Sequence, residues 1–193
     1  MNKVRVAVFA SGRGSNAQKI YEYSKTDEAS YEVALIVSNR RKAGILNYAK
    51  QERIPHFLIS RTSLNETEML LAELQEYHID LIVLAGFLLL VPPYIIDAFP
   101  KRIINIHPAL LPKYGGKGMY GMHIHEAVKS ANEESSGITI HFADEAYDEG
   151  KIIFQSQRII DHCTDAEDIA REILQLEHHF YPRVVNGVSK RIS

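Results

Sequence analysis

The chain has 193 residues, 46% of them hydrophobic and 24% charged, enough for one well-buried core in a single domain spanning residues 1–193. A formal charge of −2 with no basic block leaves no electrostatic footprint for nucleic acid, so polynucleotide binding is not expected. Cys163 is the only cysteine, which excludes an internal disulfide and a multi-cysteine metal site and leaves it as an inert packing residue.

In chain order, the first β-prone run is Lys3 to Ala10. Arg5 interrupts it, and it is too short for a secretory core. Ser11-Gly-Arg-Gly-Ser-Asn16 follows, directly before a helical pattern containing Ile20, Tyr21 and Tyr23. A strand, a glycine turn and a helix start make an anion site. Backbone N–H groups, with the Ser15 hydroxyl and the Asn16 amide, can hold a phosphate there without a lysine. The same residues also fit an ordinary glycine turn. Two commoner motifs do not fit: Ala17 holds the third glycine position of the dinucleotide fingerprint, and no Gly-Lys-Ser/Thr follows as in a P-loop.

Further strand-like runs at Glu32 to Val37, His56 to Ile59, Leu81 to Ala85 and Arg102 to His107 alternate with helical stretches such as Glu66 to His78. This βαβ rhythm, with runs apolar on both faces, predicts an α/β fold: a doubly wound, mostly parallel sheet with helices on both faces. The uncharged stretch from Leu81 to Ile96 is interrupted by Pro92-Pro93 and falls short of the roughly 20 residues a membrane-spanning helix needs. It reads as a buried strand, a ligand-lining turn and the start of a helix, and no membrane association is expected.

Asn105 and His107 end the run Arg102-Ile-Ile-Asn-Ile-His107, which Pro108 cuts off. A strand puts residues i and i+2 on one face, and ligands of open parallel sheets bind beyond the carboxyl ends of the strands. A lone buried histidine is ordinarily a hydrogen-bonded core residue. With Asn105 beside it, His107 also reads as half of a donor pair for a ligand.

Gly115-Gly-Lys-Gly-Met-Tyr-Gly121 is the one glycine-rich loop, read as a mobile flap or a tolerated insertion. His123-Ile-His125 resembles a helix start and lacks a third ligand at metal-site spacing, so no metal is expected. Beyond Ser136 the rhythm changes to two longer runs, Gly137 to Phe142 and Lys151 to Ile160, around the acidic turn Asp144-Glu-Ala-Tyr-Asp148-Glu-Gly150. That predicts an antiparallel excursion. A carboxylate from the turn can bias a histidine toward its charged form, or the turn is simply solvated. Thr164-Asp-Ala-Glu167 reads as a capping box, from which Ile169, Ile173, Leu176 and Phe180 continue an apolar stripe. Glu177 lies at that stripe and either has a buried partner or snorkels outward. His178 and His179 point about 100° apart and do not readily share a ligand.

Five segments occur in a telling order: Ser11 to Asn16, Leu84-Ala-Gly-Phe87, Asn105-Ile-His-Pro-Ala-Leu-Leu-Pro112, Gly137-Ile-Thr-Ile-His141 and Asp148-Glu-Gly150. On these the chain resembles, along nearly its whole length, the folate-dependent formyltransferases, and among them the phosphoribosylglycinamide formyltransferases. The resemblance implies a Rossmann-like formyltransferase fold, its amino-terminal half forming the phosphate-substrate side and its carboxyl-terminal half the folate and catalytic loops. It implies transfer of a formyl group from 10-formyltetrahydrofolate, a consumed cosubstrate, to the primary amine of phosphoribosylglycinamide in purine biosynthesis. No metal and no covalent intermediate are implied, and a cytoplasmic monomer or homodimer is expected.

Residue by residue, the resemblance places Asn105, His107 and Asp148 on the catalytic trio. Gly14, Ser15 and Asn16 fall on the turn that binds the substrate phosphate, and Glu177 on a substrate-binding glutamate. Leu88, Leu89, Leu90 and Val91 fall on the segment whose backbone holds the pterin, with Asn105 adjoining. Asp144, Glu145, Ala146, Tyr147 and Asp148 fall on the loop that closes over it. Asn105 and protonated His107 are then the oxyanion donors, and Asp148 keeps His107 charged. Leu174 stands where relatives carry lysine or glutamine, and Thr67 and Leu89 stand where relatives carry arginine. These departures remove side-chain contacts and leave backbone contacts intact. Hydrolysis of formyltetrahydrofolate, formylation of a different amine and non-catalytic binding of a phosphorylated metabolite are the alternatives.

Overall fold

A computed structural model describes residues 3–192. Seven strands form one sheet: β1 (Val4–Phe9), β2 (Tyr31–Ser38), β3 (His56–Leu58), β4 (Leu81–Leu84), β5 (Ile103–His107), β6 (Ser135–Phe142) and β7 (Ile152–Ile159). Their spatial order is β3-β2-β1-β4-β5-β6-β7. The first five strands pair in parallel, and β6 and β7 join antiparallel, so the predicted parallel sheet with an antiparallel excursion is what forms. Strand order reverses between β1 and β4, the place where an open α/β sheet leaves a crevice beyond its carboxyl ends.

Alternation along the strands builds two cores. Val4, Val6 and Val8 of β1 face one of them, packed against helices α1 (Ser15–Ser24), α2 (Gly44–Gln51), α6 (Met122–Ser130) and α7 (Ala166–Ser189). Ala7 and Phe9 face the other, against α3 (Arg61–Glu66), α4 (Met69–Glu76) and α5 (Pro93–Ala98). Each face of the sheet thus has its own helical layer, the doubly wound arrangement expected from runs that are apolar throughout. Among the described residues no helix is long and apolar enough to cross a membrane. The stretch from Leu81 to Ile96 resolves into β4, a turn and the start of α5.

Three local expectations are corrected. The helix predicted from Glu66 to His78 is split: α3 ends at Glu66, Thr67 is extended at φ −138°, and α4 runs from Met69 to Glu76. The Thr67 hydroxyl donates to the Ser63 carbonyl and accepts the Met69 N–H, so a local side-chain bond displaces the helical ladder. The cap of α7 lies one residue later than predicted. The Asp165 carboxylate accepts the Asp168 N–H at 2.8 Å, while Asp168 in turn accepts from the Thr164 N–H and hydroxyl. Finally, the buried stripe of α7 runs through Ile169, Ile173, Leu176 and Glu177 to Tyr181, and Phe180 instead packs beside Phe154.

Candidate active site

A cavity of about 940 Å³ opens over the carboxyl ends of the central strands. That is near the top of the roughly 300–1,000 Å³ usual for a small-molecule site. Its wall draws on the turn after β1 (Arg13) and the start of α1 (Asn16), the loops after β2 (Asn39, Arg40) and β4 (Gly86 to Leu89), the end of β5 with the residue after it (Asn105 to Pro108), and on α6 and α7. Ser11 ties three of these strand ends together. Its N–H donates to the Gly86 carbonyl, its hydroxyl donates to Asn39 Oδ1 at 2.6 Å, and the same oxygen accepts the Leu88 N–H at 2.9 Å.

One end of the cavity is the start of α1. Gly14 caps the helix in the left-handed region at φ 76°, with no side-chain cap, so the N–H groups of the first turn are free of intrahelical partners. Only glycine fits there: a Cβ would stand 2.6 Å from that of Ile45. Of the predicted trio, Asn16 lines the cavity directly. Its Nδ2 donates to Glu177 Oε2 at 2.8 Å, while its Oδ1 is buried without a partner among the described residues. One turn on along α7, the buried hydroxyl of Tyr181 donates to the Leu84 carbonyl at 2.8 Å and ties the helix to the end of β4. Burial drives the Glu177 carboxyl up to about 7 against the opposing pull of the Asn16 amide. Glu177 does not snorkel outward: it is buried against Asn16, a residue from the other half of the chain.

The opposite end is a cluster of four side chains where the sheet changes from parallel to antiparallel. Asn105 and His107 share the face of Ile103, since the intervening Ile104 and Ile106 belong to the other core. The antiparallel register sets His141 of β6 opposite Asn105 and Thr139 opposite His107. Asp148 reaches in from the acidic loop in a left-handed conformation, φ 61°, with its carboxylate 3.4 Å from His107 Nδ1 and 3.5 Å from His141 Nε2. The Gly116 N–H also donates to it at 3.0 Å. The loop is fixed by Gly150, where a Cβ would fall 1.7 Å from the Phe142 carbonyl oxygen.

Hydrogen bonds link the members of this cluster to one another and to the backbone around it. His107 Nε2 lies 2.7 Å from the Tyr114 carbonyl and donates to it. His141 Nδ1 donates to the Phe142 carbonyl at 2.9 Å, which leaves its Nε2 to accept the Asn105 amide at 3.1 Å. Asn105 Nδ2 also points to Asp148 Oδ1, at a long 3.4 Å. Burial raises the Asp148 carboxyl, but its contact with His141, the charge that His107 can carry and the Gly116 N–H together bring it below its ordinary value.

For His107 the balance runs the other way. Burial lowers it, Asp148 and the Tyr114 carbonyl raise it, and the result is a histidine below its ordinary value. The expectation that Asp148 keeps His107 charged is thus corrected: Asp148 supports the imidazolium, and desolvation outweighs it in the unliganded site. Nor are the two expected oxyanion donors idle. Asn105 spends one amide hydrogen on a long 3.4 Å contact with Asp148, so that hydrogen is readily turned toward a ligand, while His107 faces the same carboxylate through Nδ1 at 3.4 Å.

Leu88 and Leu89 line the main cavity, and Leu89, Leu90 and Val91 line a recess of about 50 Å³ beside it, with Asp144, Ala146, Tyr147 and Asp148. The Leu88 N–H is already taken by Ser11, so the backbone donors left on this segment are those of the next three residues. Glu145 is exposed and lines neither space. Of the three departures, Leu174 and Leu89 line the cavity and Thr67 does not. The sequence reading missed His141, whose signal was its period-two spacing from Thr139 in a run that pairs with β5. It missed Arg13, Arg40 and Arg61, three exposed cavity-lining residues contributed by two loops and the first residue of α3. The loop from Gly115 to Gly121 is neither spare nor remote, since Gly116 to Gly121 form part of the wall.

A family model described as formyl transferase matches residues 4–185. The chain is 40% identical over 190 residues to the chloroplastic phosphoribosylglycinamide formyltransferase of Arabidopsis thaliana, covering 95% of this chain and 65% of that protein. It therefore spans just under two thirds of the length of that plant relative. Against the Bacillus subtilis phosphoribosylglycinamide formyltransferase it is 35% identical, with 94% of this chain and 92% of that one covered. Among solved structures, the glycinamide ribonucleotide transformylase 1 of Symbiobacterium toebii superposes with a TM-score of 0.88 at 30% identity, covering 98% of this chain and 89% of the other.

Proposed function

Because the chain belongs to the formyl transferase family, within its phosphoribosylglycinamide formyltransferase group, we propose that it transfers the formyl group of 10-formyltetrahydrofolate to the primary amine of phosphoribosylglycinamide. The observation that carries this reading is one cavity with two unlike ends: free helix-start N–H groups beside Asn16 and Glu177, and the buried cluster of Asn105, His107, His141 and Asp148. The first end suits a phosphate and ribose. The second suits a carbonyl carbon under attack.

The amine attacks the formyl carbon, and the tetrahedral intermediate carries an oxyanion. Asn105 donates to that oxygen with the hydrogen now turned weakly toward Asp148. The developing negative charge favours a proton on His107, which Asp148 already supports, and so tips the balance that desolvation holds against it. The amine proton passes through water to the departing folate nitrogen, and no covalent enzyme intermediate forms. Leu88 to Val91 and the loop from Asp144 to Asp148 hold the pterin, with the backbone donors of Leu89, Leu90 and Val91 replacing the lost arginine side chain at Leu89. A recess of about 50 Å³ is too small for a pterin ring, so the loop moves outward to admit it. Arg13, Arg40 and Arg61 supply positive charge for two anionic substrates. The proposed setting is cytoplasmic, which cell fractionation checks.

The test follows tetrahydrofolate formation with and without phosphoribosylglycinamide. Turnover that requires the amine is the expected result. Amine-independent turnover points to a hydrolase, and binding without turnover to a metabolite-binding protein; either overturns the proposal.

A further inference from the structure

One buried titratable group in the cavity wall has no part in the mechanism above. His125, on α6 next to the core residue Ile124, is 6% exposed and lines the cavity together with Asn105, His107 and Glu177. Its Nδ1 is shut off from solvent and has no hydrogen-bond partner among the described residues. Nε2 likewise has no hydrogen-bond partner among the described residues, and it is the nitrogen not shut off from the cavity that His125 lines. The tautomer follows from this asymmetry. A proton on Nδ1 would strand a donor where nothing accepts it, whereas an under-satisfied acceptor is the better tolerated of the two. The proton therefore rests on Nε2.

Burial, and after it the nearby charge of His107, hold the His125 ring down at about 4, so it is neutral in ordinary working conditions. The charge that His107 can carry is felt at His125, and the two rings line the same cavity. A ring held so low is a poor base for an ammonium proton. Its chemistry here is hydrogen bonding.

We propose that His125 Nε2–H donates to the amide carbonyl of the glycyl arm of the amine substrate, and so aims the attacking amine at the formyl carbon. This rests on the formyl-transfer reading. Phosphoribosylglycinamide offers a phosphate, ribose hydroxyls and one amide carbonyl, and the carbonyl is attached to the CH₂ that bears the amine. The phosphate has the start of α1, and the oxyanion has Asn105 and His107. A neutral donor near the reacting end matches the neutral carbonyl that remains. Fixing a freely rotating arm brings the amine into attacking geometry, an effect of positioning and not of proton transfer.

Two measurements test this. In ¹H–¹⁵N correlation spectra of the wild-type imidazoles, His125 is expected as the Nε2–H tautomer, with that proton shifted and slowed in exchange by phosphoribosylglycinamide added alone. A proton on Nδ1, or an Nε2 proton that ignores the substrate, overturns the proposal. In steady-state kinetics, His125→Leu is expected to lower kcat/KM for the amine by roughly 10- to 100-fold while leaving the folate KM unchanged. His125→Asn, which keeps an amide donor, should recover much of that loss. If Asn does no better than Leu, the ring acts by shape and the proposal fails. Absence of amine-dependent turnover in the wild type would overturn the formyl-transfer reading itself, whereas turnover with an unresponsive His125 overturns only this inference.

Discussion

The two ends of the cavity are made of different material. At the start of α1 the recognition elements are backbone N–H groups set by a left-handed glycine, and the side chains behind them serve as support. At the junction of β5 and β6 they are four polar side chains brought from two strands and a loop, each linked to the next. Backbone sites tolerate side-chain change and are intolerant of altered conformation. Side-chain clusters behave in the opposite way. The comparison can be broken by perturbing each end in the manner that should hurt the other.

The largest effect is expected at the cluster. Asp148 contacts His107, His141, Asn105 and the Gly116 N–H, so Asp148→Asn removes the charge on which the whole group converges. It should lower kcat by roughly 10² or more while leaving the KM for phosphoribosylglycinamide nearly unchanged. The sign for His107 is fixed by its causes: burial lowers it and Asp148 raises it, so the variant should titrate lower still. An NMR titration reads this directly. If the wild-type value is not the higher one, Asp148 does not tune His107.

Next in size is Gly14→Ala, which alters conformation and removes no functional group. An alanine at φ 76° is strained, and its Cβ meets the fully buried Ile45 at 2.6 Å. Backbone strain and overpacking together predict a loss of about 2 to 4 kcal/mol in denaturant unfolding. The KM for the phosphate-bearing substrate should rise, with kcat largely kept. A drop in kcat with normal stability would mean the two ends are not separable in this way.

Glu177→Gln comes third and shows in the pH dependence of stability. The carboxyl is near 4.5 when unfolded and about 7 when folded, so between those values the folded state binds more protons. Stability therefore falls as pH rises through that window, by on the order of 2 kcal/mol. Glutamine removes the loss and still accepts from Asn16. The variant should gain on the wild type from pH 4.5 to 7 and run parallel to it outside that range. Parallel curves throughout would show that Glu177 is not neutral when buried.

These ends also differed in how far the sequence revealed them. The glycine turn before α1 was legible because a strand, a glycine turn and a helix start are consecutive, and Asn105 with His107 because period two places them together. The parallel sheet followed from the βαβ rhythm and the strands apolar on both faces, and its antiparallel excursion from the two longer runs around the acidic turn; the strand order did not. What did not follow was long-range. His141 meets Asn105 only through the β5–β6 register, Asn16 meets Glu177 across 161 positions, and the burial that lowers His107 depends on packing no local pattern encodes. The break at Thr67 and the shifted cap at Asp165 were missed for a local reason. Small polar side chains offer the backbone several equivalent bonds, and sequence does not say which is taken.

The smallest effect is the one that sharpens the comparison most. Asn16 lies in the first turn of α1, and an alanine there keeps the backbone N–H while deleting the amide. If the phosphate is held chiefly by the helix start, Asn16→Ala should raise the KM for phosphoribosylglycinamide by only about tenfold, the worth of one ordinary hydrogen bond, and leave the folate KM alone. Part of that rise is indirect, because the substitution also strips Glu177 of its donor. Combining Asn16→Ala with Glu177→Gln separates the two contributions, since a shared origin makes the double variant less impaired than the sum. A loss as large as that of Asp148→Asn, or equal rises in both KM values, would show that the Asn16 side chain carries recognition itself, and that the two ends of the cavity are built alike after all.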